Sequence, residues 1–585
     1  MRWEFFGIAA GQGLVGMLSA ASALLSRLAP AEGISRRDAL ALSLILILHA
    51  AALGTMAATE VDLFAKVVFL LVWALLNFTC LVFVRRPIAA ALISLAFLIA
   101  LILLSQFKHD KLWMTVDFVD LMIIDRDTSS FLLAVIPGLR TQLTLAAFIV
   151  SMLLAIGWRI DPFRMRLRVS AVGGSFCLAG LTVLSMSFPT DLYEDFFGQN
   201  YVSKFARTGV EAMHELITHG YLESDATITE RLKVPPVAAC APARKLPHII
   251  LLHDESSFDI TAIPGIHVPS GYQDHFRSFD GKARKLIVEG VGGPSWFTEY
   301  NVLTGLSARS YGRFATSVTR IAAGRVERGL PASLTHCGYT TFTLYPFYGA
   351  FLSSRAFQTS TGIGHYLDMT DLGTENFERD SFYFGQAEKI IARERGNGPL
   401  FLYVYTVANH FPWDTRLRPE LTPNWRDLGN APNVEEYIRR QGMTAQDYAA
   451  LLDRLRRNFP LESFLIVRYG DHQPEFAHLI IDPTLSDAAR ARQMKAYDPR
   501  YFTSYYAVDT VNFRPADMSS ALNTLEAPYL PLLVQEAAGV PLDPSFVEQK
   551  KILQRCHGAF YRCAGGEEAR RFNRLLIEAG LIKGL

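Results

Sequence analysis

KLIVEGVGGPSWFTEYNVLTG, residues 285–305, reads as a β-strand that runs into a glycine-rich loop and then into a helix. Lys285–Glu289 is a short apolar run, the Gly290–Pro294 stretch breaks it, and Trp296–Leu306 follows as a helix. Four similar runs flank it: His248–Leu252 (HIILL), Thr340–Tyr345 (TTFTLY), Leu400–Thr406 (LFLYVYT) and Phe464–Tyr469 (FLIVRY). Continuously apolar strands are buried on both faces. Their alternation with helical stretches predicts an α/β domain around a central, mostly parallel sheet. In such sheets ligands collect beyond the carboxyl ends of the strands.

Four of those ends carry chemistry. His253-Asp254-Glu255-Ser256 follows HIILL, and Gly292-Gly293-Pro294-Ser295-Trp296 follows KLIVE. Asn409-His410-Phe411-Pro412-Trp413 follows LFLYVYT, and Gly470-Asp471-His472-Gln473-Pro474 follows FLIVRY. Each has a plain reading by itself: Glu255 as a carboxylate at a helix start, Ser295 as an N-cap, His410 and the Asp-His pair as turn residues. Together, two acids, an imidazole and a hydroxyl on one rim form a ligand set for Mn²⁺, Zn²⁺ or Mg²⁺ rather than for a thiolate-seeking ion.

Outward from this domain the composition changes. Only 26 charged residues fall in positions 1–190, against 87 in the remaining 395, although the whole chain is 50% hydrophobic with a net charge of +1. Stretches near 39–58, 64–84, 87–107, 139–158 and 169–188 are each long and apolar enough to cross a hydrocarbon layer of about 30 Å. Residues 4–26 are a weaker sixth candidate, diluted by Gly and Ser. Arg36-Arg37, Arg85-Arg86 and Arg159, Arg164, Arg166 and Arg168 fall in alternate loops, which predicts that these loops are cytoplasmic and that the chain after about residue 189 is exported. The expected organisation is a transmembrane domain over 1–190, a helical connector over 191–245 and a periplasmic catalytic domain over 246–585. Near-neutral charge in both parts argues against a nucleic-acid partner.

The motifs resemble the lipoteichoic acid synthase and phosphoglycerol transferase family of the alkaline phosphatase/sulfatase superfamily, over roughly residues 110–545. GGPSWFTEYNVLTG (292–305) is similar to the family's nucleophile loop, with Ser295 where most relatives carry threonine. YGDHQP (469–474), NHFPW (409–413) and HDESS (253–257) resemble its other signature blocks. The resemblance implies a sulfatase-like domain behind an α-helical transmembrane bundle. It further implies one metal, Mn²⁺ first with Mg²⁺ or Zn²⁺ as alternatives, held by Glu255, Ser295, Asp471 and His472. His410 and Arg355 (in FLSSRAFQ) would grip the headgroup, while Trp296 and Trp413 flank the pocket. Asp254, unusual beside the metal glutamate, reads either as support for that site or as a plain loop residue.

The implied activity is transfer of phosphoglycerol from phosphatidylglycerol to an envelope glycan through a phosphorylated Ser295, in a bacterial inner membrane. Phosphoethanolamine transfer, phosphodiester hydrolysis and headgroup sensing without turnover are the rivals. PSWFTEY lacks the Cys/Ser-x-Pro-x-Arg of a formylglycine sulfatase, and no Asp-x-x-x-His cluster supports a two-zinc phosphatase. Cys80 and Cys177 fall in predicted spans. Cys240, Cys337, Cys556 and Cys563 face an oxidising compartment, where the CHGAFYRC spacing favours a Cys556–Cys563 bridge; a Cys240–Cys337 bridge is an open alternative to two free thiols.

Overall fold

A computed structural model describes residues 35–112, 114–190, 194, 198–232 and 240–584. The candidate span at 4–26 lies outside them. The described residues divide into two compact units, one within Met1–Met122 and Val135–His214, the other within Ile123–Ala134 and Glu215–Leu585.

In the first unit, five helices are long and apolar enough to cross a membrane: α1 (Arg36–Thr59), α2 (Leu63–Val84), α3 (Pro87–Leu112), α4 (Leu139–Ile160) and α5 (Leu167–Ser187). Side-chain caps start the first two, Ser35 accepting from Asp38 N–H and Asp62 from Ala65 N–H. The basic loops meet at one end of the bundle. Arg86 donates to Trp158 O and Asp161 O, Arg37 to Arg159 O, and Asp161 accepts from Ile88 N–H. At the other end Glu60 accepts from Val202 N–H at 3.1 Å and Ser203 Oγ at 2.5 Å. These bonds tie the start of α6 (Tyr201–His219) to the bundle, where Val202 and Phe205 join its core. The expected connector therefore splits, with residues through His214 in this unit and those from Glu215 in the next.

The second unit holds eight strands: β1 (His248–Asp254), β2 (Arg284–Ile287), β3 (Thr340–Leu344), β4 (His365–Leu367), β5 (Leu400–Thr406), β6 (Phe464–Gly470), β7 (Thr503–Val511) and β8 (Thr524–Glu526). They form one sheet in the order β4-β3-β5-β1-β6-β7-β2-β8. All neighbours are parallel except β7, which runs against β6 and β2. β4, β7 and β8 go beyond the five predicted strands.

Alternation along the central strands sorts the side chains. Ile250, Leu252, Leu402, Val404, Phe464 and Ile466 enter one large core. The opposite parity presents His253, Tyr403, Tyr405 and Tyr469 together at the carboxyl ends.

Cys240–Cys337 and Cys556–Cys563 are disulfide-bonded, at sequence separations of 97 and 7. Loop-closure entropy assigns about 4.7 kcal/mol to the longer loop and about 2.4 to the shorter. Cys337→Ser should therefore lower the melting temperature of the second unit more than Cys563→Ser does. Differential scanning calorimetry of the two variants checks the order.

Candidate active site

The site begins where β1 and β6 end side by side, Asp254 opposite Gly470 in parallel register. A Cβ on Gly470 would lie 1.8 Å from Ser257 O, so only glycine lets the two loops approach this closely. Just beyond, Asp471 Oδ1 accepts N–H bonds from Ser256 at 2.8 Å and His472 at 2.9 Å. That leaves Oδ2 aimed inward, 3.1 Å from His253 Nε2 and 3.2 Å from His472 Nε2.

Ser295 opens helix α7 (Ser295–Thr304) directly behind Pro294, which occupies the N-cap without a side-chain cap bond. Its Oγ donates to Glu255 Oε2 at 3.3 Å and lies 3.2 Å from His472 Nε2. Thr298 Oγ1, one turn along, donates to Asp471 O at 2.7 Å and pins the helix to the end of β6. The helix N-terminus adds backbone donors suited to a phosphate. Thus the structure brings Glu255, Ser295, Asp471 and His472 into one cluster, and Glu255 and His472 stand 3.5 Å apart.

His253 belongs to this cluster as well. His253, Glu255 and Asp471 present ligand atoms within 4.8 Å of one another. Asp471 Oδ2 and His253 Nε2 are buried and lack a hydrogen-bond partner. His472 Nδ1 donates to Gln473 O at 2.8 Å, which leaves Nε2 facing the carboxylates. Metal-binding histidines use this same arrangement, in which one ring nitrogen is fixed by a carbonyl and the other faces the ion. The donor set of two carboxylates, a hydroxyl and one or two imidazoles fits a divalent cation. Burial would push Asp471 up, yet the imidazoles of His472 and His253 hold it well below the usual carboxylate range.

The remaining predicted residues separate. His410 is half-buried, its ring stacked on Phe411 with centroids 4.3 Å apart and its Nδ1 donating to Phe411 O at 2.8 Å, so Nε2 is the ring nitrogen left to exchange a proton. Arg440 steadies that loop by donating to His410 O, Pro412 O and Thr415 O. Trp296 and Trp413 are packing residues rather than pocket walls. Each is 7% exposed, and their indole N–H groups donate to Thr316 O and Asn409 O. Arg355 is committed to Asp368 at 2.8 Å and Asp371 at 2.9 Å, with its charge neutralised there. Asp254 points to the opposite face of the sheet, where it pairs with His275 at 2.9 Å and accepts from the Tyr505 hydroxyl.

Residues 297–504 match the sulfatase family model. The matched stretch contains His410, Asp471 and His472 and begins two residues past Ser295. No curated protein matches the sequence. Similar solved structures include the phosphoglycerol transferase GacH of Streptococcus pyogenes in complex with sn-glycerol-1-phosphate, at 14% identity over 59% of this chain and 88% of that one, with a TM-score of 0.45. The lipoteichoic acid synthase LtaP of Listeria monocytogenes gives 15% over 55% and 77%, TM-score 0.40. The lipooligosaccharide phosphoethanolamine transferase A of Neisseria meningitidis gives 10% over 82% and 96%, TM-score 0.41.

Sequence reasoning also missed Asp380, which organises the His410 loop from below. Its Oδ1 accepts from Val407 N–H and Ala408 N–H, and its Oδ2 from Thr444 Oγ1. Burial pushes this carboxyl up to about 7. Between pH 3.8 and about 7 the folded protein keeps a proton that the unfolded chain releases. This group therefore makes stability fall as pH rises, by up to about 1.4 kcal/mol per pH unit. Asp380→Asn removes the titration and should give a shallower decline than wild type in denaturant melts across that window. Parallel pH profiles would contradict this assignment.

Proposed function

We propose that the protein is a metal-dependent phosphoryl-group transferase of the inner membrane, moving phosphoglycerol from phosphatidylglycerol to an envelope glycan. The observation that carries the reading is the Ser295 hydroxyl at a helix N-terminus, within 3.3 Å of both Glu255 and His472. The likeness of residues 292–305 to a phosphoglycerol-transferase nucleophile loop favours that headgroup over phosphoethanolamine. Two disulfides and the alternating basic loops support a periplasmic site.

Glu255, Asp471, His472 and Ser295, with His253 beside them, would hold the cation. When bound, it supplies a lowered pKa for the serine hydroxyl and charge neutralisation for the phosphoryl oxygens. The Glu255 contact orients Ser295 Oγ. The bond from Ser295 Oγ to phosphorus forms as the bond to the diacylglycerol oxygen breaks; the serine proton passes to Glu255 Oε2, and the His410 imidazolium gives the leaving oxygen a proton from Nε2. A glycan hydroxyl then passes its proton to the same nitrogen, bonds to phosphorus and frees Ser295. Glu255 returns its proton to Ser295 Oγ when the serine is freed in this second step. This two-step course makes the kinetics ping-pong. Arg355 can join the headgroup only by leaving its two aspartates.

Mass spectrometry of headgroup-labelled phosphatidylglycerol, incubated with the protein and a glucan, tests the reading. The label should move to the glucan. Ser295→Ala should lose roughly 10⁴-fold or more in rate, whereas Ser295→Thr keeps the attacking oxygen and should stay active. Release of free glycerophosphate alone would identify a phosphodiesterase instead. Wild-type turnover by Ser295→Ala would defeat the scheme.

A further inference from the structure

The first unit carries an open apolar cavity of about 570 Å³ that the transfer chemistry does not use. Its walls include Val72 and Leu76 of α2, Leu101 of α3, Leu181 of α5, and Phe205 and Val210 of α6. Thr182 and His214 are the lining side chains with polar atoms, and the Thr182 hydroxyl is bonded back to Leu178 O within its own helix. A cavity this apolar offers water too few partners to hold it.

Position along the helices gives its depth. Val72–Leu76 lie nine to thirteen residues from the start of α2 at Leu63, roughly 14–20 Å along the axis. Leu178–Met186 occupy the final part of α5, just before its end at Ser187. The cavity thus runs from the middle of the spans toward the end at which the chain continues into α6. That length corresponds to one leaflet of a hydrocarbon layer about 30 Å thick.

Helix α6 supplies one wall of this apolar groove, which stays open along its side at the half-exposed Leu178, Met186 and Met213. It follows the five spans, and its Phe205, Ala206, Gly209, Val210 and Met213 repeat on one face at helical spacing and line the cavity. A Cβ on Gly209 would meet the Phe118 ring at 3.0 Å, so the glycine lets α6 close against that ring, which also lines the cavity. Left empty, the walls would forfeit their dispersion contacts on one side. The medium available at this depth is hydrocarbon.

We propose that this cavity seats one acyl chain of a bilayer lipid. Any two-tailed lipid satisfies the site, so the inference does not depend on which headgroup, if any, is transferred. For the phospholipid donor proposed above, the same slot would hold a tail.

Full-length protein in phosphatidylcholine nanodiscs doped with a phosphatidylglycerol carrying an acyl-chain diazirine provides the test. After irradiation, peptide mapping should find label on Leu101, Leu181 and Phe205, which are 7%, 4% and 9% exposed, well above that on Val172 and Phe176, which are 70% and 77% exposed. Ala206→Trp and Val210→Trp, each filling the slot, should lose the cavity label and keep the label at Phe176. A phosphatidylcholine diazirine probe giving the same pattern would support the acyl-chain site equally and leave the transfer reading to its own assay. Equal labelling of cavity and outward positions in the wild type means annular lipid only and overturns the proposal. So does a cavity label that survives both substitutions, or a chain-to-chain crosslink in place of the lipid.

Discussion

The site depends on how one carboxylate is divided. Asp471 gives Oδ1 to the N–H groups of Ser256 and His472, which locks the loops after β1 and β6 together. Oδ2 is thereby turned toward His253 and His472 without a hydrogen bond of its own. A buried carboxylate oxygen left in this state is costly unless a positive charge faces it. The same loops place Glu255 against Ser295, so the unpaired carboxylate oxygen and the position of the serine hydroxyl have a common origin.

Support for this arrangement comes from both faces of the sheet. On the nucleophile side, His253 Nδ1 meets the Tyr469 hydroxyl at 2.8 Å, Tyr469 meets Tyr403 at 2.6 Å, and the His253 ring stacks on Tyr405 with centroids 4.3 Å apart. These rings exclude water and satisfy Nδ1 of the imidazole, leaving Nε2 to face the carboxylates, and the low local dielectric strengthens every charge interaction in the cluster. On the far face, Arg468 bridges His275 O and Asp509, while Asp254 binds His275 and Tyr505. That network anchors the strand ends without touching Ser295. Gln441 joins the two sides of the cleft, accepting from Ser257 Oγ and from Asn409 Nδ2.

Much of this was legible in the chain. LFLYVYT matches β5 residue for residue, and HIILL and FLIVRY mark β1 and β6, because parallel strands buried on both faces are continuously apolar. β4 and β8 escaped notice at three residues each, too short for any periodicity to register. β7 (TSYYAVDTV) mixes hydroxyls and an aspartate among its apolar residues, since Asp509 answers the buried Arg468. The metal-type residues stood out as polar groups at strand ends. His253 did not, because its partners Tyr403 and Tyr469 lie 150 and 216 residues away. The tryptophans misled for the opposite reason: an aromatic next to a motif is more often part of the packing that holds the motif, as Trp413 is against Phe476 and Tyr437.

The central claim is that one cation sits among Ser295, Glu255, Asp471 and His472. An anomalous-scattering map from crystals of the sheet-containing unit grown with manganese puts this to the test. The account predicts a single peak within bonding distance of Ser295 Oγ and both carboxylates. A map with no peak at that position, or with manganese bound only elsewhere on the domain, would contradict it.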